Sequence, residues 1–529
     1  MAPETDAAQA RSIRRAAAEV VMVEIWEEVL QTEGIDPEDD FFSCGGDSLL
    51  AIQVIGEAGK RGLAFNLIEM FKHPTIRGLC ATLRDEDVPE APDLDLLAPD
   101  DRAKVPLLAA DALPASRLQL GIIYESLMSG GQAYVCTMTN DVRRPLDAAV
   151  LRRTVDLLTA RHPMLRTRFD LSSFSEAVQI VERTVEIPLT TADYSDLAPE
   201  EVAGRTAEVI RELGSPFDPE HAPLLRLHAA ALDPGSFRLT YGYHHVLLDG
   251  WSTASLIREL VLAYAAILEG DEPAFADPVP YAEFIRLERA AVGDERSRQH
   301  FARLVTDATA AVTVAGNDVE TTEVQGFVPA ADAERLTELA ARWQLPPKSL
   351  LLAAYGATVA AIRTDPSPVL ALLTHGRPER EGADLTLGLF INYLPVRLEL
   401  GGRTWREAAR ISFEAERDLL EHRHFPHSEA VELAGKDAFA TSFNYVNLRP
   451  SLRLVEAGLL GTAQFSDVAF DIPLGLDVAH TTDGLRVHVA FDVALHGAGL
   501  GPTVLAAFLD AVHRLVTEPD AGIAGIEAS

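Results

Sequence analysis

The sequence has few cysteines and no long apolar segment, and each shortage excludes a class of protein. Only three of its 529 residues are cysteines, and the wide spacing of Cys44, Cys80 and Cys136 fits neither a disulfide framework nor a zinc site. No stretch of about 18 uncharged apolar residues is present, so we expect no membrane span. The opening MAPETDAAQA lacks the basic and apolar regions of a secretory signal. Together these features predict a protein of the reducing cytoplasm.

Positive charge is also scarce, because 46 lysines and arginines stand against 80 aspartates and glutamates. The formal net charge of −34 would repel phosphate backbones and anionic lipids. We therefore expect the protein to bind neither nucleic acid nor a membrane. The acidic composition is typical of a well-solvated surface and says nothing about a substrate.

The N-terminal part of the chain has the pattern of a small helical domain. Apolar residues recur at helical spacing over 11–31 and again from Leu49, followed by a short helix, a break at Pro74 and a last helix. This pattern predicts an all-α four-helix bundle over residues 8–84. Residues 85–105 are rich in acids and prolines and show no period, which predicts an extended linker.

From residue 106 a mixture of helical and strand patterns continues along the chain. The string PLLRLHAAALDPGSFRLTYGYHH predicts a hairpin with DPGS as its turn. About 420 residues exceed an ordinary single core, so we expect an α/β (α+β) fold of two lobes. The string DEPAFADPVP (271–280) marks the boundary, giving lobes over 106–275 and 276–525.

One serine stands on a short turn within FFSCGGDSLLAIQVI. Gly45 and Gly46 allow a sharp turn, and Asp47 and Ser48 then begin a helix whose free N–H groups and dipole would stabilise an attached phosphate. Capping alone would explain a bare Asp-Ser pair. The whole string resembles the peptidyl carrier protein of non-ribosomal peptide synthetases, although Cys44 replaces a larger aliphatic residue. The resemblance implies that a phosphopantetheinyl transferase attaches phosphopantetheine to Ser48.

The most informative string of the second part is YGYHHVLLDGWS (241–252). Adjacent residues of a strand point to opposite faces, so His244 and His245 would not share a metal ion, and we expect no metal site. His245 falls on the more apolar face, and a buried Asp249 would need a partner. A lone histidine on such a face is most often a core residue, but the complete HHVLLDG pattern favours a functional site.

HHVLLDG resembles the HHxxxDG signature of the condensation-domain superfamily, which is related to chloramphenicol acetyltransferase. Further strings resemble other motifs of the family in order: LPASRLQLGIIYESL with Gln119 and Tyr124, RHPMLRTRF, YAEFIRL, HGRPE with LGLFINYLPVRL, and HRHFPHSEAV. YAEFIRL departs from the family pattern, because Leu287 replaces a tryptophan. The resemblance spans about 106 to 525, which is nearly all of the second part.

The resemblance implies two acetyltransferase-like lobes with a tunnel between them, where the amine of an acceptor aminoacyl thioester attacks a donor thioester to form an amide. The motif residues His244, His245, Asp249 and Gly250 would form the catalytic site. In it His245, the second histidine, would orient the amine and take its proton. Asp249 would be structural and pair with an arginine, for which we predict Arg166. Gly250, at the start of the next helix, would leave room for backbone N–H groups near the developing oxyanion.

Three alternatives within the same superfamily differ in function. An epimerisation domain would have a glutamate ahead of HGR, where this sequence has Leu373 and Thr374. A heterocyclisation domain would have aspartates in place of both histidines. A non-catalytic recruitment domain would keep the fold without turnover, and the intact HHVLLDG argues against it without excluding it.

The order of the two units predicts the partners. A carrier domain ahead of a condensation domain would present the donor, while the acceptor would arrive on a downstream carrier domain. The sequence contains no adenylation domain, which predicts a piece of a larger synthetase served by an upstream adenylation domain. No epimerase string separates the units, yet LQLGIIY and HGRP resemble domains that take D-configured donors, so the donor configuration stays open.

Overall fold

The computed structural model describes residues 3–83, 94–131, 133–304, 321–446, 453–455, 457–461, 464–465, 473–481 and 484–523. Along the chain these residues form an N-terminal helical unit (3–83), a first lobe and a second lobe. The first lobe is built on a three-stranded and a five-stranded sheet, and the second lobe is built on a six-stranded sheet.

The helical unit packs around an aromatic residue of its first helix and two that follow it. Trp26 lies edge-on to Phe41, with ring centroids 4.9 Å apart, and Phe42 is buried beside them. Its helices are α1 (Pro3–Leu30), α2 (Ser48–Lys60), α3 (Leu67–Lys72) and α4 (Ile76–Ala81). The last three begin after Asp47, Asn66 and Thr75, whose side chains accept hydrogen bonds from the first-turn N–H groups.

The first lobe contains two sheets and the helices that cover them. Its helices are α5 (Pro99–Arg102), α6 (Arg117–Met128), α7 (Ala148–Arg161), α8 (Pro199–Leu213), α9 (Gly250–Glu269) and α10 (Ala282–Val292). Its strands are β1 (Ala109–Pro114), β2 (Val135–Val142), β3 (Thr167–Asp170), β4 (Val178–Glu182), β5 (Leu189–Asp193), β6 (Leu225–Asp233) and β7 (Ser236–His244). The three-stranded sheet has the order β1-β4-β3, and β2-β7-β6-β5 form most of the five-stranded sheet.

The predicted hairpin is confirmed, because β6 and β7 pair antiparallel from Leu225 opposite Tyr243 to Asp233 opposite Ser236. The carboxylate of Asp233 stabilises the turn by accepting hydrogen bonds from the Gly235 N–H and the Ser236 hydroxyl, both at 2.7 Å. The hairpin therefore fixes where β7 ends and where the two adjacent histidines lie.

The prediction of an extended linker over 85–105 is wrong for its second half. Residues 84–93 lie outside the described residues, but 94–105 packs on the three-stranded sheet. Leu97 is buried there among apolar side chains of β1 and β4, and the buried carboxylate of Asp101 accepts a hydrogen bond from the backbone N–H of Ser175. The apolar pair Leu96 and Leu97 gives this acidic segment enough buried surface to fold back.

The second lobe surrounds a six-stranded sheet of order β10-β9-β11-β13-β14-β8. Its strands are β8 (Thr321–Phe327), β9 (Val369–His375), β10 (Ile391–Arg397), β11 (Thr441–Val446), β12 (Gln464–Phe465), β13 (Leu474–Thr481) and β14 (Gly484–Asp492). Its helices are α11 (Glu295–Arg303), α12 (Ala330–Trp343), α13 (Pro347–Arg363), α14 (Trp405–Leu419), α15 (His427–Ala434), α16 (Val493–His496) and α17 (Leu500–Thr517). The expected multidomain α and α+β class is therefore correct.

The second lobe also contributes to the first. Strand β12 completes the five-stranded sheet by pairing with β2, so that Gln464 lies opposite Thr139. Leu387 and Leu389 are buried in the core of the first lobe. A single boundary near 271–280 therefore does not separate two independent cores.

Helix α9 meets the usual criteria of length and hydropathy for a membrane span, and the bent pair of α12 and α13 meets them jointly. Because 72% of the most apolar window of α9 is buried inside the protein, its composition reflects its central position in the first lobe.

The helical unit contacts the second lobe through α2, α3 and the turn that precedes α2. Phe413 of α14 lies 5.8 Å from both Phe42 and Phe71 between ring centroids. A glutamate after β9, Glu379, accepts a hydrogen bond of 2.7 Å from the backbone N–H of Leu67, the first residue of α3. The Gln53 side-chain amide also donates to Asp384 at 2.8 Å. Apolar and polar contacts together hold the unit against the lobe.

We predict that Phe413→Ala weakens this contact about tenfold, because an aromatic pair contributes about 0.5–1.5 kcal/mol beyond its buried area. Hydrogen exchange should accelerate more in α2 and α3 than in the second lobe, against whose core Phe413 is only partly buried. Phe327→Ala is a matched control, since Phe327 is 49% exposed on β8. Equal exchange in the two variants would mean that the aromatic contact does not hold the helical unit.

Candidate functional site

The turn before α2 requires both of its glycines. Gly45 has a φ of 87°, a left-handed conformation that glycine adopts without strain. A Cβ on Gly46 would lie 2.3 Å from the Phe41 ring, so only glycine fits. Asp47 caps the helix, with Oδ1 accepting from the N–H groups of Leu49 and Leu50 at 3.0 and 2.9 Å. Capping is therefore the role of Asp47, and the Ser48 hydroxyl is available for other contacts.

The hydroxyl of Ser48 faces the second lobe. Its Oγ lies 3.1 Å from Nε2 of His375, the last residue of β9. Sequence inspection missed this histidine, because 327 positions separate the two residues. Nδ1 of His375 is buried and has no hydrogen-bond partner among the described residues, so the pair is not part of a serine–histidine–acid triad. Burial and the neighbouring Arg377 and Arg423 hold the pKa of His375 well below its usual value.

His244 ends β7 on the side facing the interior of the first lobe. Its Nδ1 accepts a hydrogen bond of 3.2 Å from the Val246 N–H, and its Nε2 lies 3.0 Å from the Ser126 hydroxyl. Burial and the adjacent His245 lower the pKa of His244 to about 4. This buried, neutral imidazole has both ring nitrogens engaged and does not border the cavity beside His245, so the geometry gives His244 a structural place rather than the catalytic one expected from the motif.

His245 follows the strand and lies on its other side. Its backbone N–H donates to the Tyr134 carbonyl at 2.8 Å, and its side chain borders a cavity together with Tyr241 and Tyr243. Burial lowers the pKa of His245, although the nearby Asp249 carboxylate opposes part of that effect. The imidazole is therefore neutral near pH 7 and able to accept a proton.

Asp249, four residues after His245, connects the two lobes. As the N-cap of α9, it accepts the Ser252 N–H at 2.7 Å through Oδ1, and its Oδ2 accepts the Phe390 N–H at 3.1 Å. The guanidinium of Arg377 donates to Oδ1 at 3.2 Å, and both side chains are buried. Arg377 belongs to the HGRPE string of the second lobe, so this ion pair crosses between lobes.

The predicted pairing of Asp249 with Arg166 is wrong. Arg166 donates to the backbone carbonyls of Thr159 and Ala160 in the last turn of α7, and to those of Glu182 and Arg183. Carbonyls at a helix C-terminus lack hydrogen-bond donors within the helix, and an arginine side chain can donate the missing hydrogen bonds. Arg166 therefore stabilises a helix end inside the first lobe.

Other residues named from the sequence have supporting or peripheral positions. Gln119 is buried, and its amide donates to the Val246 carbonyl at 3.3 Å, next to the histidine pair. Tyr124 is 61% exposed on the surface. Gly250 is the first residue of α9, is exposed and borders the cavity.

The cavity has a volume of about 820 Å³ and is bordered by all three parts of the protein. The helical unit contributes the turn from Gly45 to Leu49, and the first lobe contributes His245 and neighbouring residues of β7 and α9. The second lobe contributes Leu373, Thr374, His375 and Tyr393. The hydroxyl-bearing turn and the neutral imidazole therefore face one shared space.

Two family models match the chain, and together they cover most of it. The model described as "Phosphopantetheine attachment site" matches residues 21–83, and the model described as "Condensation domain" matches residues 109–527. The fold and the site thus define a phosphopantetheine carrier unit joined to a two-lobed condensation fold. The chain belongs to the condensation-domain family of non-ribosomal peptide synthetases.

The relatives are large synthetases, of which the chain spans a quarter or less. It is 33% identical to the AMB antimetabolite synthetase AmbE of Pseudomonas aeruginosa, over 96% of this chain and 25% of that protein. Malpibaldin synthetase of Mortierella alpina is 25% identical over 99% of this chain and 10% of its own length.

Solved condensation domains have the same fold. The first condensation domain of the CDA synthetase matches with a TM-score of 0.67 and 21% identity, over 78% of this chain and 98% of that chain. The starter condensation domain of rhizomide synthetase RzmA matches with a TM-score of 0.64 and 17% identity, over 79% and 100%.

We predict that Asp249→Asn and Arg377→Met are energetically coupled. Removing either partner leaves a buried polar or charged group uncompensated, which costs about 3–5 kcal/mol for a buried pair. A double-mutant cycle in denaturant should give an interaction energy of about 0.5–3 kcal/mol. The same cycle with Arg166→Met should give a value near zero, and a larger coupling to Arg166 than to Arg377 would contradict the assigned ion pair.

Proposed function

We propose that the chain forms an amide bond between a donor held on its own carrier unit and the amine of an acceptor on another carrier domain. The observation that carries the proposal is the shared cavity, because both Ser48 and His245 border it. A donor attached at Ser48 would enter this cavity without leaving the protein, and holding two reactants in line is a large part of the catalytic effect.

The attachment of phosphopantetheine to Ser48 is supported by the geometry of its turn. Asp47 takes the capping role, so the Ser48 hydroxyl is not needed for the helix. A negative phosphate at this position would lie at the positive end of α2, where the helix dipole favours an anion, while Asp47 accepts the hydrogen bonds of the Leu49 and Leu50 N–H groups. The residues present therefore fit the group, which when bound would supply the thiol that carries the donor acyl group as a thioester.

His245 acts on the acceptor amine. An α-amine has a pKa near 7.7–8.0, so roughly a tenth is already neutral at pH 7, and no strong base is needed to create the nucleophile. The neutral imidazole accepts the proton that leaves the nitrogen as the C–N bond forms and the C–S bond breaks. Gly250 begins α9 beside the cavity, and backbone N–H groups there would stabilise the developing oxyanion.

The side chains ahead of the HGRPE string argue against epimerisation as the function. Leu373 and Thr374 border the cavity where a carboxylate base would be required. Neither side chain is able to remove an α-proton at neutral pH. A recruitment domain without turnover would not require a neutral histidine buried beside the cavity.

The proposed reaction requires three partners. A phosphopantetheinyl transferase would modify Ser48, an upstream adenylation domain would supply the donor, and a downstream carrier domain would bring the acceptor. The cytoplasmic location stays a prediction, which the three free cysteines favour.

We predict that a phosphopantetheinyl transferase with coenzyme A adds one arm to the native chain and none to Ser48→Ala. Intact mass spectrometry measures the addition. Ser43→Ala is a matched control on the same turn, where the Ser43 hydroxyl contacts Asp40, and it should be labelled normally. Labelling that persists in Ser48→Ala would place the arm elsewhere.

We predict that His245→Ala lowers the rate of product formation by about 10²–10⁴, the usual contribution of a general base. With a donor preloaded on the native chain, the logarithm of the rate should already fall with a slope of about one below the amine pKa of about 7.7–8.0. The slope should reach about two only below the pKa of His245, which burial holds under its usual value. The variant should keep a slope of about one over the whole acid range.

The matched control for this experiment is His221→Ala, since His221 is an exposed histidine of the first lobe. It should retain the native rate and the native pH profile. Product formation by His245→Ala at the native rate would end the catalytic assignment.

A further inference from the structure

The histidine at the end of β9 lies where the arm would begin. We propose that His375 is a positioning residue for phosphopantetheine: its Nε2–H donates a hydrogen bond to the phosphodiester on Ser48 and holds the base of the arm at the entrance of the cavity. The inference rests on the attachment at Ser48 proposed above. It assigns a function to a side chain that the amide-forming step does not use.

The chemistry of attachment determines the direction of this hydrogen bond. The Ser48 hydroxyl can both donate and accept, and its Oγ lies 3.1 Å from Nε2 of His375. Once Oγ is esterified it carries no hydrogen, and every oxygen of the phosphodiester is an acceptor. The contact then persists only if Nε2 carries the proton. Because Nδ1 of His375 has no partner in the described part of the chain, no other contact imposes the opposite tautomer.

The cations near His375 do not replace it, because each already has a carboxylate partner. These pairs are Arg377 with Asp249, Arg423 with Glu379, and Lys348 with Glu416. Their combined positive potential still acts at this point and opposes protonation of the imidazole, as does burial. The positive potential would stabilise an added phosphodiester. Among these side chains, His375 is the donor that is not paired with a carboxylate.

The position of His375 also explains what the contact would achieve. The helical unit is held by contacts of Phe413 and Glu379 that do not involve Ser48, and those contacts leave the direction of the arm unspecified. His375 borders the cavity itself. A hydrogen bond from it to the phosphate selects arm conformations that lead into the cavity rather than into solvent.

The experiment uses the full chain carrying the arm on Ser48, prepared as native protein, His375→Leu and His375→Gln. His488→Gln is the matched control, because His488 borders the same cavity but contacts Glu323 and Asp477 instead of Ser48. Two properties are measured without turnover: the ³¹P chemical shift of the phosphodiester, and the rate at which a maleimide modifies the thiol of the arm, followed by mass.

We expect His375→Leu to move the ³¹P resonance and to increase thiol modification about tenfold, the effect of losing one hydrogen bond to a charged group. His375→Gln, which keeps an N–H donor, should lie between Leu and native, and His488→Gln should match native. The imidazole ¹⁵N signals of His375 in the unmutated chain should also report a protonated Nε2 after loading, which requires no variant.

Either of two results would overturn the inference. A native ³¹P shift and a native modification rate in His375→Leu would exclude a hydrogen bond to the phosphate, as would a His375 tautomer with the proton on Nδ1. Absence of the added mass on the native chain is a different failure, since it removes the attachment at Ser48 and the inference with it.

Discussion

The buried ion pair between Asp249 and Arg377 is the constraint on which the cavity depends. One partner caps α9 in the first lobe, and the other follows β9 in the second lobe. Moving two charges out of water is costly, and hydrogen bonds to the remaining polar atoms offset part of that cost. The guanidinium also donates to the Ala383 and Thr386 carbonyls at 2.9 and 2.8 Å and stacks on the Phe390 ring, whereas its Nε has no partner among the described residues. The pair and these contacts therefore join the two lobes next to the cavity.

Two adjacent histidines become chemically different because the strand end turns them to opposite sides. His244 has both ring nitrogens engaged inside the first lobe, and its imidazole remains neutral at any ordinary pH. His245 borders the cavity, and burial leaves it neutral but accessible to a reactant. The same residue type thus serves packing at one position and, in the proposed reaction, proton transfer at the next.

Local sequence patterns were sufficient to predict several elements of the fold. These are the hairpin turn, helix α9 and the glycine turn before α2, each of which depends on interactions between residues close in sequence. The packing of residues 94–105 was not predictable from neighbouring residues. The leucines of this acidic segment stabilise it only when they are buried against a sheet, and that sheet forms from distant parts of the chain.

The same limit applies to the site. Ser48, His245 and Asp249 were identifiable from compact motifs. The partner of Asp249 was not, because an arginine from a distant strand end competes with many others in the sequence. Arg377 and His375 both stand in the HGRPE string, which was recognised as a motif, but only the folded chain brings one to Asp249 and the other to Ser48.

The contact between Ser48 and His375 has a kinetic consequence for the life cycle of the protein. An enzyme that modifies the Ser48 hydroxyl must approach the same turn that rests against the second lobe. Installation of the arm, as proposed, would therefore compete with the contact between this turn and the second lobe. The contacts of Phe413 and Glu379, which hold the helical unit in that position, would then limit how fast a newly made chain is modified.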